Sequence, residues 1–160
     1  PSFYELSYFK PGESGFRVFE TKFGRISVLI CYDQWFPEAA RSAALMGAEI
    51  IFYPTAIGTV EHLSEDEGSW QSYWERVQQG HAGANNVVVA AVNRVGREGS
   101  SRFWGGSFAA NAVGEIIKKA GNETEVLLVD IDLGHSDYVR KSWRFFESRR
   151  PGHYTKIAES

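Results

Sequence analysis

Two apolar runs with one short amphipathic stretch between them constrain the fold of this chain more than any other feature. Ile26, Val28, Leu29 and Ile30 form the first run, and residues 50–53 (I-I-F-Y) form the second. Runs of β-branched and aliphatic residues without polar alternation fit strands buried on both faces. Between them Pro37 and Glu38 make the proline-then-acid pair of a first helical turn. Phe36, Ala39, Ala40, Ala43 and Ala44 recur at the spacing of one apolar helical stripe, and Gly47 closes it. Strand, helix and strand in immediate succession predict an α/β fold, with α+β character where later strands follow one another directly.

The single cysteine stands where the first run ends. Tyr32, Asp33, Gln34 and Trp35 connect Cys31 to the helix. A nucleophile on a sharp turn between a strand and a helix has the logic of a nucleophile elbow. A helix N-terminus favours thiolate over thiol, and the backbone N–H groups of such a turn can hold an oxyanion that forms one bond from sulfur. The alternative for a lone cysteine in an apolar strand is a small buried hydrophobe, and the polar, aromatic turn favours the reactive reading. The second run leads into Pro54, Thr55 and Ala56, at the strand edge where ligands collect in open sheets. Cys31 is therefore the candidate nucleophile, and Trp35, Pro54, Thr55 and Ala56 are candidate substrate-binding residues.

Composition removes several function classes. With 160 residues, 43% of them hydrophobic, the chain can bury a core of its own. A formal charge of -3 and the lack of a basic run argue against nucleic acid as a partner. One cysteine makes no internal disulfide, and no apolar stretch reaches the length of a membrane span, so a cytoplasmic protein without membrane partners is expected. His62, Glu65, Asp66 and Glu67 lack a spacing that would converge them on an ion, so no metal is expected, and residues 59–69 read as a solvated lid.

The remaining chain supplies further strands and helices. Residues 16–21 read as a short strand, and 22–25 as the hairpin turn into the Cys31 strand. That turn puts Lys22 at the far end of the strand from Cys31. Ser69 caps a helix over about 70–84, with Trp70, Tyr73, Trp74 and Val77 on a core face and His81 a turn further on. A Cys–His pair is conceivable there, although a histidine on an apolar face is usually structural. Residues 87–92 read as a buried strand ending at Asn93 and Arg94, 96–105 as a loop, and 126–131 as another buried strand. Gly105 and Gly106 allow close backbone approach, with no phosphate-loop lysine beside them. A helix starting at Asp132 runs to about 143, and a tail over about 144–160 reads as leaving the globule extended, with Arg149 and Arg150 suited to contact a neighbouring subunit.

The run G-R-I-S-V-L-I-C-Y-D-Q-W-F-P-E-A-A-R resembles the nucleophile motif of the nitrilase superfamily of carbon-nitrogen hydrolases. The continuation A-L-M-G-A-E-I-I-F-Y-P-T-A-I-G is most similar to the branch that hydrolyses N-carbamoylputrescine. The resemblance extends from Glu5 to the R-R-P-G-H-Y near the C-terminus. It implies that residues 1–160 are the C-terminal half of a four-layer αββα sandwich, that Cys31 is the nucleophile and that the backbone N–H of Tyr32 serves the oxyanion. Glu5, shortly before an aromatic-x-P-G turn, matches an additional pocket glutamate. The family's general-base glutamate and its lysine are expected upstream of Pro1, so residues 1–160 alone are expected to be inactive, an interaction or scaffold protein being the non-enzymatic alternative. The implied reaction needs no cofactor, acts on a small amine or ureido substrate, and belongs to a homo-oligomer joined through the C-terminal tail.

Overall fold

Short-range signals set the helix boundaries. The computed structural model describes residues 5–63, 66 and 68–159, the side chains of Glu5 and Leu6 excepted. One helical turn, α1 (Glu5–Tyr8), precedes the hairpin of β1 (Phe19–Thr21) and β2 (Gly24–Val28). A 3-10 turn over Cys31–Trp35 leads to α2 (Pro37–Leu45), then β3 (Ile50–Thr55) and β4 (Gly58–Val60). After α3 (Trp70–Asn85) come β5 (Val88–Asn93), β6 (Val95–Glu98), β7 (Ser101–Trp104), β8 (Phe108–Ala110), β9 (Ile116–Lys119) and α4 (Leu133–Trp143). Pro37 opens α2 where its missing N–H costs nothing, and Gly47, at φ 98°, leaves it. The Ser69 hydroxyl accepts from the Ser72 N–H at 3.3 Å, and the Asp132 carboxylate from the His135 N–H at 3.1 Å, capping α3 and α4.

The main sheet has the order β1-β2-β3-β5-β8-β9, and β2, β3 and β5 within it are parallel. Their C-terminal ends therefore share one edge. Thr55 pairs in register with Asn93, and the Leu29 N–H bonds the Phe52 carbonyl at 3.0 Å, carrying the first apolar run up to Cys31 beside them. A second sheet, β4-β7-β6, begins directly after the β3–β4 loop. Gly58 permits it: a Cβ there would collide with the Arg102 carbonyl of β7. α4 belongs to the opposite edge, where Arg140 reaches the carbonyls of Ala48 and Asn86, just ahead of β3 and β5.

The core lies between one sheet face and the helices α2 and α3. Leu29, Ile51, Tyr53, Val89 and Ala91 from the strands meet Ala39, Ala40, Ala43 and Ala44 of α2, with Trp74 and Ala82 of α3. The small alanines of α2 let that helix lie close to the sheet. The other face is apolar but only partly covered. Val28 is 40%, Ile30 63% and Val92 49% exposed, so the strands expected to be buried on both faces are fully buried on one only; segment 124–131 crosses the other face and borders an open cavity of about 510 Å³ beside Ile50, Phe52, Ala90 and Val92. It is the face on which a four-layer αββα arrangement sets its second sheet.

Several expectations need correction. Residues 126–131 are not a buried strand. Leu127, Val129 and Ile131 turn toward the sheet while Val126 and Leu128 remain 85% and 76% exposed, because no strand pairs with this segment among the described residues. The predicted loop 96–105 contains the β6–β7 hairpin, whose exposed, charged strands lack the apolar alternation by which strands are read. The first strand starts only at Phe19. The tail folds back in two 3-10 turns, Pro151–His153 and Thr155–Ala158, and Phe146 packs against the core with the guanidinium carbons of Arg41 and Arg140 5.2 and 5.0 Å from its ring.

Candidate active site

Cys31 has φ 49°, in the left-handed region that non-glycine residues seldom occupy. Two contacts hold the backbone there. The Asp33 carboxylate accepts from the Ile30 N–H at 2.9 Å, and the Asp33 N–H bonds the Ile30 carbonyl at 3.1 Å. Cys31 thus sits on a tight, braced bend between the strand and the 3-10 turn that it opens. The helix expected to point at sulfur starts only after that turn. Phe36, preceding Pro37, is forced to extended dihedrals (φ -101°, ψ 107°), which separates the 3-10 turn from α2. The N–H groups nearest Cys31 therefore belong to its own turn, Tyr32 included.

Behind the bend lies a buried polar cluster centred on Gln34, whose side chain is 1% exposed. Its side-chain oxygen accepts from the Trp74 indole N–H at 2.6 Å and from Gln78 Nε2 at 2.9 Å. Its amide nitrogen donates to Thr55 Oγ1 at 3.2 Å, and the Thr55 hydroxyl lies 3.4 Å from Cys31 Sγ as donor. The Gln34 carbonyl is 2.8 Å from His81 Nε2. A carbonyl only accepts, so His81 carries its hydrogen on Nε2 and offers no basic lone pair there. Its ring stacks on Tyr53, with centroids 5.9 Å apart. The Cys–His base reading therefore has no support from this geometry.

Burial pushes the His81 imidazole below its ordinary value, partly opposed by the Gln34 carbonyl, and pushes the Tyr53 phenol up, with Asp33 adding to the rise. His81 is thus neutral in the fold at neutral pH. Below about pH 6.5 the unfolded chain takes up a proton that the native state refuses, so stability falls as the pH drops toward the lowered folded value. Melting temperatures measured from pH 7.5 to 5 are expected to decline, and the decline is expected to be shallower in His81→Gln.

The candidate site residues are distributed as follows. Cys31 and Thr55 meet directly. Pro54 and Ala56 flank Thr55 at the end of β3, all three half-buried. Trp35 packs on the core and against Tyr73, with ring centroids 5.2 Å apart. Glu5 opens α1, and its side chain lies outside the described residues, as do Glu65 and Glu67. Among the described residues no three His, Cys, Asp or Glu side chains gather as metal ligands, and no helix is long and apolar enough to cross a membrane. The N–H groups of Gly105 and Gly106 are spent on the carbonyls of Arg94 and Gly121, so this pair makes no phosphate cradle.

Asn93, marked in the sequence only as the end of a strand, holds the edge together. Asn93 exchanges both side-chain ends with the backbone of Ile57, at 2.9 and 3.0 Å, and donates to the Gly105 carbonyl at 2.9 Å, pinning the loop after Thr55. The buried stripe of α3 is Trp74, Gln78, His81, Ala82 and Asn85, whereas Tyr73 of the expected core face is 54% exposed. Gln78, His81 and Asn85, following Trp74 in successive steps of four, three and four residues, were the available clue: polar groups repeating on one helical face.

Comparison with known proteins bears on this arrangement. A family model described as carbon-nitrogen hydrolase matches residues 1–141. An N-carbamoylputrescine amidase of Arabidopsis thaliana is 49% identical over 96% of this chain and 54% of its own length. The crystal structure of a carbon-nitrogen hydrolase from Helicobacter pylori G27 superposes with a TM-score of 0.94 at 43% identity, covering 99% of this chain and 57% of that one. A mutant of an amidase from Nesterenkonia sp. AN1, with the acetamide moiety of fluoroacetamide added covalently at its active-site cysteine, matches at a TM-score of 0.77 and 28% identity over 95% of this chain and 51% of that one. The chain spans about half the length of the curated relatives it matches.

Proposed function

The chain belongs to the carbon-nitrogen hydrolase family, and from that premise we propose that the protein carrying it hydrolyses N-carbamoylputrescine to putrescine, carbon dioxide and ammonia. The observation that carries the reading is Cys31 itself: a thiol on a braced left-handed bend, at the shared C-terminal edge of three parallel strands, with a hydroxyl donor on its sulfur. The sulfur attacks the ureido carbonyl, and the C=O electron pair moves onto oxygen, held by the Tyr32 N–H with a lysine from outside residues 1–160. Collapse breaks a C–N bond and expels ammonia, which takes a proton. Water, deprotonated by a glutamate also outside this stretch, then cleaves the C–S bond, and the resulting carbamic acid loses carbon dioxide to leave the diamine. Glu5 is assigned to the pocket beside them. The thiol supplies the nucleophile, so the chemistry calls for no cofactor.

The rival reading is another branch of the family, acting on β-ureido acids, ω-amides or nitriles. A carboxylate-bearing substrate asks for an arginine clamp, and Arg94 is the arginine adjoining this edge. Its guanidinium lies 4.3 Å from the Phe103 ring centroid and pairs with Glu98, so its charge is engaged on the β6–β7 hairpin, which favours the amine substrate. The test is ammonia release by the whole polypeptide from N-carbamoylputrescine, a β-ureido acid and an ω-amide acid at equal concentration. We expect kcat/KM for the first to exceed the others by at least about a hundred-fold, since each wrongly placed charge in a desolvated site costs one or more powers of ten. Equal or greater turnover of a carboxylate substrate would move the protein to the rival branch. A cytoplasmic homo-oligomer joined through the tail belongs to the same proposal; the tail contact is supported by the exposure of Ile157 at 67% in the tail and of Trp143 at 64% where α4 ends and the tail begins.

A further inference from the structure

The polar cluster behind Cys31 has a direction. An indole N–H can only donate, so the Gln34 atom 2.6 Å from Trp74 Nε1 is the amide oxygen, and the second donor, Gln78 Nε2, agrees. The Gln34 nitrogen consequently faces Thr55 and donates to Oγ1. A hydroxyl that accepts there has its one hydrogen left to give, and Cys31 Sγ lies 3.4 Å away. If the amide were reversed, Thr55 would donate to Gln34 and present a lone pair to sulfur, which would favour the protonated thiol. The buried indole excludes that arrangement.

We propose that Thr55 is a positioning residue for the nucleophile: its hydroxyl donates to Cys31 Sγ, in a direction imposed by Trp74 through Gln34, and thereby favours the thiolate and holds the sulfur at the strand edge. The inference rests on the reading of Cys31 as nucleophile. It differs from a substrate contact, since the hydroxyl hydrogen is spent on sulfur. It also differs from a packing role, which a valine of the same shape would fill.

Alkylation of Cys31 by iodoacetamide, followed across pH 5–10 on the whole polypeptide by mass spectrometry of the peptide containing Cys31, tests it without any substrate. In Thr55→Val the rate at pH 7 is expected to fall about ten-fold and the midpoint of the rate–pH curve to move up by about one unit, the size of one hydrogen bond to a charged group. Thr55→Ser is expected to restore both. Trp74→Phe, which lacks the indole N–H, is expected to shift the midpoint in the same direction by a smaller amount, and it serves alone if the valine variant does not fold. An unchanged alkylation curve in folded Thr55→Val overturns the proposal, and an unchanged curve in Trp74→Phe overturns the imposed direction. Failure of the nucleophile reading has a separate signature, hydrolysis that survives Cys31→Ala.

Discussion

Cys31→Ala in the whole polypeptide is expected to abolish ammonia release from N-carbamoylputrescine, lowering kcat by at least about a thousand-fold, because on the proposed reading Cys31 is the group that forms the covalent intermediate. The melting temperature is expected to change little. The side chain is small and only half-buried, and the bend is held by Ile30 and Asp33 rather than by sulfur. Cys31→Ser is expected to be nearly as inactive: serine keeps the hydrogen-bonding role toward Thr55, but an alkoxide is far harder to reach at neutral pH than a thiolate. Hydrolysis in either variant at more than a few per cent of the parent rate would remove Cys31 from the mechanism.

Gln34→Leu is expected to be the most destabilising of the single substitutions considered, by about 3–5 kcal/mol. Leucine fills a similar volume, so the loss is one of hydrogen bonding. It leaves the Trp74 indole N–H and the Gln78 amide without their acceptor inside a site where both side chains are fully buried. Each stranded donor costs about 1–3 kcal/mol, and Thr55 loses its donor as well. A melting temperature lower by about 10 °C is the corresponding observable for a protein of this size class. Gln79→Ala, which removes only a 3.3 Å bond to the Glu75 carbonyl on a half-buried face, is the comparison and is expected to stay within about 0.5 kcal/mol. A loss below 1 kcal/mol in Gln34→Leu would show that water satisfies the stranded donors and that the cluster is wetter than its burial implies.

Legibility varied with the range of the interaction responsible. The helix ends were readable because their causes lie within a few residues: Ser69 and Asp132 bond N–H groups three residues on, and Pro37 stands at its own helix start. The strands β3 and β5 were readable from continuous apolar runs and β2 from the run that Ser27 interrupts, and their shared edge followed once helices had to cross between them. The β6–β7 hairpin was missed because its strands are mostly exposed and charged, held by backbone bonds and by Arg97 pairing with Glu61 rather than by burial. Residues 126–131 were misread for the converse reason. Their apolar pattern records a face to be covered, and burial pattern alone does not say whether a segment pairs as a strand or merely lies across a sheet.

What the sequence by itself determined is the placing of a cysteine between an apolar strand and a proline-started helix, in a run whose resemblance to a known nucleophile motif pointed to the family. Those features are local, written in periods of two and of three to four residues and in cap chemistry. Only the tertiary structure decided what stands behind the sulfur. Thr55 is 21 residues from Gln34, and Trp74, Gln78 and His81 are 40, 44 and 47 residues from it. No local period relates positions so far apart. They meet because parallel β2 and β3 end side by side while α3 lies across the turn that Cys31 opens, and the cost of leaving a buried donor unpaired then selects the polar partners that converge there.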